Sequence, residues 1–311
     1  MLFDRWSSGL PVGMAPPQRI VQVVEASNVF RYLYQDTERE MWAWSDFPNC
    51  APPWPVFWIE GRVPPIIRSD ELGTRTRKQA QLGTRIGANV LAFENKPGWE
   101  DLVNALYFKQ GQNIVGGDIS AWSDKIRDEP VRWIVMMGIQ LETSKHEPLI
   151  GPLCRVHAVH KDGALSQWRC VAASPGLAGT QADELLKQTD PLTFPIFLAL
   201  SFINCRNTSL VDAEPPAKLN RRRMKRGKPP LVKYKVLEIE PMRQVLRKAG
   251  QQHGVEQLRA LHICRGHFAH YTNEAKLFGR HAGTFWRPSH VRGTAEAGEI
   301  VKDYEIGPLN E

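Results

Sequence analysis

Histidine, arginine and tyrosine crowd into the stretch Leu261-His262-Ile263-Cys264-Arg265-Gly266-His267-Phe268-Ala269-His270-Tyr271, and those three residue types together suit the handling of phosphate. Six of the nine histidines fall between His253 and His290, so the concentration is local. An imidazole titrates near neutrality and can carry a proton, whereas a guanidinium stays charged and holds an oxyanion. Read as one extended strand, the stretch places Arg265, His267 and Tyr271 on one side with Ile263 and Ala269, and His262, Cys264 and His270 on the other. The chemistry this allows has His267 as proton carrier, Arg265 neutralising charge on a phosphoryl group and Tyr271 in support. The same side chains equally suit a polar network that fixes a sheet. Alternation splits the four metal-capable residues His262, Cys264, His267 and His270 between two faces, and Glu274 is the nearest carboxylate, so no metal is expected.

Two further stretches carry chemistry. Trp286-Arg287-Pro288-Ser289-His290-Val291-Arg292 puts Trp286, His290 and Arg292 on one face if it is a strand, with Pro288 marking an edge or a bulge. An exposed indole beside an arginine and a histidine can stack bases of a single-stranded nucleic acid, while a buried one at a sheet edge is only packing. The second stretch is electrostatic. Lys218, Arg221, Arg222, Arg223, Lys225, Arg226, Lys228, Lys233 and Lys235 follow one another with no acid between Lys218 and Lys235. Of the 40 basic residues 31 lie elsewhere, against 33 acidic ones, so this one segment holds the whole excess behind the net charge of +7. Such a patch suits sequence-independent contact with a phosphate backbone, and it also suits a solvated loop.

Composition bounds the remaining classes. With 42% hydrophobic and 23% charged residues, the 311-residue chain has the make-up of a globular protein able to bury a full core in one or two domains. No apolar run reaches the ~20 residues of a membrane helix, and the N-terminus lacks a secretory core. Cys50, Cys154, Cys170, Cys205 and Cys264 are scattered and odd in number, which reads as reduced thiols in a cytoplasm. There is no Walker loop, no GxSxG elbow, no HExxH and no dinucleotide fingerprint, so no cofactor is expected and ATP hydrolysis, serine hydrolysis and nicotinamide chemistry lose ground. His157-Ala158-Val159-His160 reads as a surface histidine pair.

The elements that must position these residues follow from pattern. Residues 1–18 read as an extended lead, Arg19–Tyr34 as a helix, and Val56–Glu60 as an edge strand among the prolines and tryptophans of 41–66. Glu71–Gly83 reads as a polar surface segment and Trp99–Lys109 as a helix. Val131–Leu141 is an apolar run expected at the centre of a sheet. Leu153–His160 and Ser166–Ala172 flank Lys161-Asp162-Gly163, a hairpin turn. Asp190-Pro191 predicts a helix N-cap followed by a buried helix over Leu192–Asn204. Val232–Ile239, Leu261–Tyr271, Thr284–Arg292 and Ile300–Ile306 are strand candidates, with Met242–Lys248 a short helix. An α+β fold results: an α+β recognition region at 1–213 with a core helix, a basic Pro-flanked linker at 214–230, and a C-terminal β-rich domain of about four strands at 231–311.

At His262-Ile263-Cys264-Arg265-Gly266-His267-Phe268-Ala269-His270-Tyr271, followed by Trp286, the chain resembles the type V anti-CRISPR family that blocks biosynthesis of a single-effector Cas nuclease. Members are carried by phages and mobile elements and end in a His-x-Arg-Arg-Gly-His-aromatic-x-x-Tyr stretch before a tryptophan-bearing strand. Arg265, Gly266, His267 and Tyr271 are the matching positions, and Cys264 stands where the family carries a second arginine. The resemblance covers roughly the last fifty residues. It implies a counter-defence protein of a bacterial cytoplasm that recognises the N-terminal peptide of a nascent defence protein and causes loss of its messenger RNA. On that reading residues 218–235 anchor RNA or a ribosome–nascent-chain complex, and the tryptophan-rich N-terminal half recognises the peptide. Two other classes stay open: a metal-independent ribonuclease using His267, Arg265 and Tyr271, and a phage accessory binding protein with no catalytic role.

Overall fold

The computed structural model describes residues 22–30, 32, 43–63, 84–101, 113–115, 124, 126–141, 153–173, 182–228, 230–240, 260–264, 266–288, 290–292 and 294–299. The expectations for 1–18, 71–83, 242–248 and 300–306 lie outside these residues, as does most of 99–109. The chain divides into two compact units, Met1–Ile239 and Glu240–Glu311. The fold is α+β.

A mixed nine-stranded sheet organises the larger unit. Its strands are β1 (Val23–Glu25), β2 (Val56–Val63), β3 (Thr84–Glu94), β4 (Asn113–Val115), β5 (Val131–Leu141), β6 (Leu153–His160), β7 (Leu165–Ala173), β8 (Thr208–Ala213) and β9 (Tyr234–Ile239), in the order β4-β7-β6-β5-β3-β2-β1-β9-β8. The apolar run of β5 is explained by its place, since it pairs antiparallel with β3 on one side and β6 on the other. Its residues alternate between two buried faces. Ile134 and Met136 join Val156, Ala158, Cys170, Trp99 and Ile126 in one cluster, while Val135 and Met137 are buried on the opposite face.

Two expectations about the first strands need correction. β2 is interior, not an edge: it pairs antiparallel with β3 and parallel with β1. The prolines precede the strand and so remove no ladder hydrogen bond, and the Pro55 carbonyl accepts from the Ala92 N–H at 2.8 Å. In Arg19–Tyr34 the described residues form β1 and then a four-residue helix, α1 (Ser27–Phe30). Pairing of β1 with both β2 and β9 satisfies its backbone in a way the helical spacing of its valines did not announce.

The β6–β7 hairpin turns through Lys161-Asp162-Gly163 as its Asp-Gly signal predicts. The Asp162 carboxylate accepts from the Ala164 N–H at 2.9 Å, and Gly163 has φ +91°. Asn49 occupies the place a Cβ would need, and the Gly163 carbonyl accepts from the Cys50 N–H at 2.7 Å. A side chain at 163 would therefore displace the 47–51 segment as well as strain the turn.

The long helix α2 (Ala182–Ile203) has Pro191 and Pro195 inside it. Asp190 is thus not an N-cap. Its carbonyl accepts from the Thr193 hydroxyl at 2.7 Å, and its carboxylate is committed elsewhere. Arg155 Nη2 donates to Oδ1 at 2.5 Å, while Arg169 donates from Nε to Oδ1 at 3.1 Å and from Nη2 to Oδ2 at 2.8 Å. This binds α2 to β6 and β7. Asn204, past the helix end, ties the same helix to the 49–51 segment by donating to the carbonyls of Asn49 and Ala51.

In the smaller unit five short strands replace the longer ones expected. Leu261–Tyr271 is broken into β10 (Ala260–Cys264) and β11 (His267–Tyr271), and Thr284–Arg292 into β12 (Gly283–Arg287) and β13 (His290–Arg292). The unit holds a three-stranded sheet of order β13-β10-β14, with β14 at Thr294–Glu299, and a two-stranded β11–β12 ribbon. No described helix is long and apolar enough to cross a membrane.

Removing Asp190 leaves a fully buried Arg155 guanidinium without its counter-charge. Asp190→Ala is expected to destabilise the larger unit by roughly 3–5 kcal/mol, the usual result of breaking one side of a buried pair. Urea unfolding followed by tryptophan fluorescence measures this, and a midpoint equal to wild type would show that the pair does not hold the helix.

Candidate functional site

The basic segment expected as a linker is an ordered helix in the larger unit. Helix α3 (Ala217–Lys225) lies between β8 and β9, which pair antiparallel from Thr208↔Ile239 to Ala213↔Tyr234. Pro216 stands at its N-cap, and Gly227, with φ +68°, closes its C-terminus. The Gly227 and Lys228 N–H groups donate to the carbonyls of Met224 and Arg223, both at 3.0 Å. A nine-residue helix is marginal alone. Asn220 anchors it: its side-chain oxygen accepts from the Leu231 N–H at 2.8 Å, and its amide donates to the Leu231 carbonyl at 3.4 Å.

At 100° per residue, Lys218, Arg221, Arg222 and Lys225 fall at i, i+3, i+4 and i+7 on one face, roughly opposite Asn220. All four are exposed, as are Arg226 and Lys228, whereas Arg223 is half-buried. The neighbouring acids are already engaged. Asp212 accepts from Lys235 Nζ at 2.6 Å, which holds its carboxyl below the usual range, and Glu214 pairs with Lys233 and holds that ammonium above its usual value. Among the described residues the four cations of the stripe form no ion pair.

The histidine stretch is placed differently from its sequence reading. β11 and β12 pair antiparallel as His267↔Arg287, Phe268↔Trp286, Ala269↔Phe285, His270↔Thr284 and Tyr271↔Gly283. His267 and Tyr271 do share a face, joined there by Phe285 and Arg287. Arg265, expected as their partner, lies outside the described residues. Arg287 is the arginine on this face: its Nη2 donates to the Tyr271 hydroxyl, and its guanidinium carbon lies 5.5 Å from the centre of that ring. Sequence reasoning passed over Arg287 by treating Trp286 as the useful neighbour. Pairing the two strands across the intervening turn would have put Arg287 opposite His267.

Trp286 requires correction as a base-stacking residue. It is 1% exposed, lies on the other face, and packs edge-on against Phe268 at 4.8 Å. His290 and Arg292 are not on its strand. They pair with Cys264 and His262 in the β10–β13 ladder. Of the described tryptophans in the N-terminal half, Trp58 and Trp99 are buried, Trp58 donating to Glu60 Oε2 at 2.9 Å, while Trp44 and Trp54 are part-buried. Among the described residues no three metal-capable side chains converge.

The remaining ionisable groups act inside the fold. His157, expected at the surface, is buried, its ring 4.7 Å from Phe197 and 5.3 Å from Trp44. Burial pushes its imidazole well below the ordinary value, and the Arg155 and Arg169 charges push it the same way. Burial raises the Cys50 thiol to about 12, which makes it an inert thiol beside Ser201. Glu129 accepts from Ser166 Oγ at 2.7 Å and meets His160 Nε2 at 2.8 Å. Burial pushes that carboxyl up, but these bonds outweigh it and leave it below the usual range. Among the described residues the larger unit therefore defines a mixed-sheet protein whose buried charges are paired and whose exposed basic helix α3 is not. No family model matches the chain, and neither a curated protein nor a solved structure does.

Trp286→Ala is expected to destabilise the smaller unit by about 3–5 kcal/mol without altering any affinity for RNA that the folded protein shows. Denaturant unfolding and fluorescence anisotropy on the same variant measure the two effects, and a loss of RNA affinity in folded protein would return Trp286 to the binding surface. For His157 the unfolded chain binds a proton near 6.5 that the folded chain refuses. Its contribution is complete above that value and is lost as pH falls, at up to about 1.4 kcal/mol per pH unit. His157→Phe should flatten the stability-against-pH curve below 6.5 relative to wild type. Parallel curves would mean that His157 does not set the slope.

Proposed function

We propose that this chain is an RNA-binding protein that engages the phosphate backbone through helix α3. The observation that carries this reading is the stripe Lys218, Arg221, Arg222 and Lys225: four exposed cations on one face of a helix anchored from the other. They span about 10.5 Å of helix axis, a line of fixed charge without aromatic side chains between them. Such a surface reads charge and spacing and not base identity. Binding then comes from counterion release and weakens with salt. The resemblance of the His262–Tyr271 stretch supplies a setting for this activity. In that setting the chain is a phage or mobile-element counter-defence protein acting in a bacterial cytoplasm. It engages RNA or a ribosome–nascent-chain complex, recognises a peptide of a host defence protein and lowers that protein's synthesis. The reading is of an adaptor, with cleavage supplied by another protein.

Four contacts predict that the logarithm of affinity falls against the logarithm of salt with a slope of roughly −3. A variant with Lys218, Arg221, Arg222 and Lys225 all changed to Glu is expected to lose at least about a hundredfold in affinity and most of that slope. Anisotropy with labelled mixed RNA checks both. Wild-type affinity in the charge-reversed variant would remove the helix from the binding surface. The same RNA, recovered after incubation with chelator, should be intact. Fragments that disappear in His267→Ala would replace the adaptor with a metal-independent ribonuclease.

A further inference from the structure

The loop that joins β11 to β12 carries at its tip a phenylalanine that the fold neither buries nor holds without strain. The loop is stitched together locally. The Thr272 hydroxyl accepts from the Ala275 N–H at 3.1 Å, and Leu277 and His281 exchange backbone hydrogen bonds at 2.8 and 3.0 Å. Leu277 is buried, and the His281 ring packs edge-on against the buried Phe285 at 6.3 Å, so this pair anchors the loop. Beyond the anchor the chain reverses, with the Arg280 N–H donating to the Leu277 carbonyl at 3.1 Å. The two central residues of that turn, Phe278 and Gly279, have φ of +53° and +69°. Two positive φ angles in succession belong to the mirror-image hairpin turn, for which Asn-Gly is the usual dipeptide. A bulky aromatic in the left-handed region is a steric outlier, and among the described residues Phe278 is the one non-glycine there. Its side chain is 39% exposed, so burial does not offset the strain.

Phe278 is also the one exposed large hydrophobic among the described residues of the smaller unit. A Cβ on Gly279 would meet nothing within 4 Å, which puts the tip of the turn in open solvent. Lys276 and Arg280, both exposed, stand two positions to either side of the ring. An aromatic face presented between two basic residues matches an unpaired nucleobase, whose ring stacks while its flanking phosphates meet the charges. A bilayer is the poorer match. Surface insertion calls for several apolar side chains, and the neighbours of Phe278 on the tip are Lys276, Gly279 and Arg280, with Leu277 turned inward. We propose that the 276–280 tip is a stacking finger that takes an unpaired base of single-stranded RNA. The inference rests on the RNA reading of helix α3 and deepens it. Phosphates are presented by paired and unpaired RNA alike, so the α3 stripe does not discriminate between them. The finger gives the chain a preference for the unpaired strand.

Stability and affinity, measured on the same variant of the full chain, should move in opposite directions. Phe278→Asn installs the residue that the turn prefers, so its urea midpoint, followed by tryptophan fluorescence, is expected to rise. Its affinity for a labelled single-stranded RNA of mixed sequence, read by anisotropy, should nonetheless fall roughly tenfold, the loss of one stacked base. Affinity for a duplex RNA of the same length should stay within about twofold, because the phosphate contacts are untouched. Phe278→Trp should match or exceed wild type on the single strand, since an indole offers a larger face. Wild-type single-strand affinity in Phe278→Asn, or equal losses on single strand and duplex, would overturn the finger. Charge reversal of the α3 stripe separates the two readings. Should that reversal leave affinity intact while Phe278→Asn lowers it for the single strand, the α3 reading falls and the finger stands; the opposite pattern keeps α3 and removes the finger. A wild-type protein that bound neither RNA would remove both. Binding to phosphatidylglycerol vesicles that Phe278→Asn abolishes, with RNA affinity unchanged, would overturn the proposal in favour of a lipid surface.

Discussion

The carboxylate of Asp190, held between Arg155 and Arg169, is the interaction on which the larger unit depends. It fastens α2 to the β6–β7 hairpin at the point where two prolines weaken the helix from within. It also allows two guanidiniums to approach one another in the interior, which without an acid they would not do. Further packing follows from that placement. The Arg169 guanidinium lies 5.3 Å from the Trp44 ring, and Trp44 in turn packs edge-on against Phe194 and Phe197. The 43–51 segment is thereby fixed at both ends, by the indole on this cluster and by the Cys50–Gly163 hydrogen bond at the hairpin turn. His157 beside the pair stays neutral because it is buried and because a third cation there has no counter-charge.

This interior sets a standard for judging the other charges of the molecule. Arg85 is answered by the buried Glu60 at 2.9 Å, and Lys235 by Asp212 at 2.6 Å. The buried Arg155 likewise meets the Asp190 carboxylate. The stripe of helix α3, about two turns long, has no such acid among the described residues, and Arg287 on the ribbon bonds the Tyr271 hydroxyl instead.

What the sequence made legible was whatever local pattern alone determines. The uniform apolarity of β5, the Asp-Gly turn between β6 and β7 and the segregation of positive charge in 218–235 were readable because each depends on neighbours in the chain. Features set by distant partners were not. Asp190-Pro191 has the composition of a helix start, yet the helix begins at Ala182, and the acid serves arginines 35 and 21 residues away. β2 looked like an edge because its prolines were weighed without knowing that they lie outside the ladder. Leu261–Tyr271 reads as one continuous strand until β10 and β11 are seen to pair with different partners, β13 and β12. Arg287 was missed for the same reason. A face is a property of a pair of strands, and periodicity in one strand cannot reveal who stands opposite.

The cations of helix α3 and of the ribbon differ in physical kind. On α3 four of them stand on one face with no ion pair among the described residues, so any gain they made with a polyanion would come from displaced counterions and would be spread evenly along it. On the ribbon the Arg287 guanidinium is held by a phenol with an aromatic brace behind it, so less rotamer freedom remains to it. The first arrangement responds to salt, whereas the second is fixed by packing and by a hydrogen bond between uncharged and charged partners, and neither depends on a group inside the core of the larger unit.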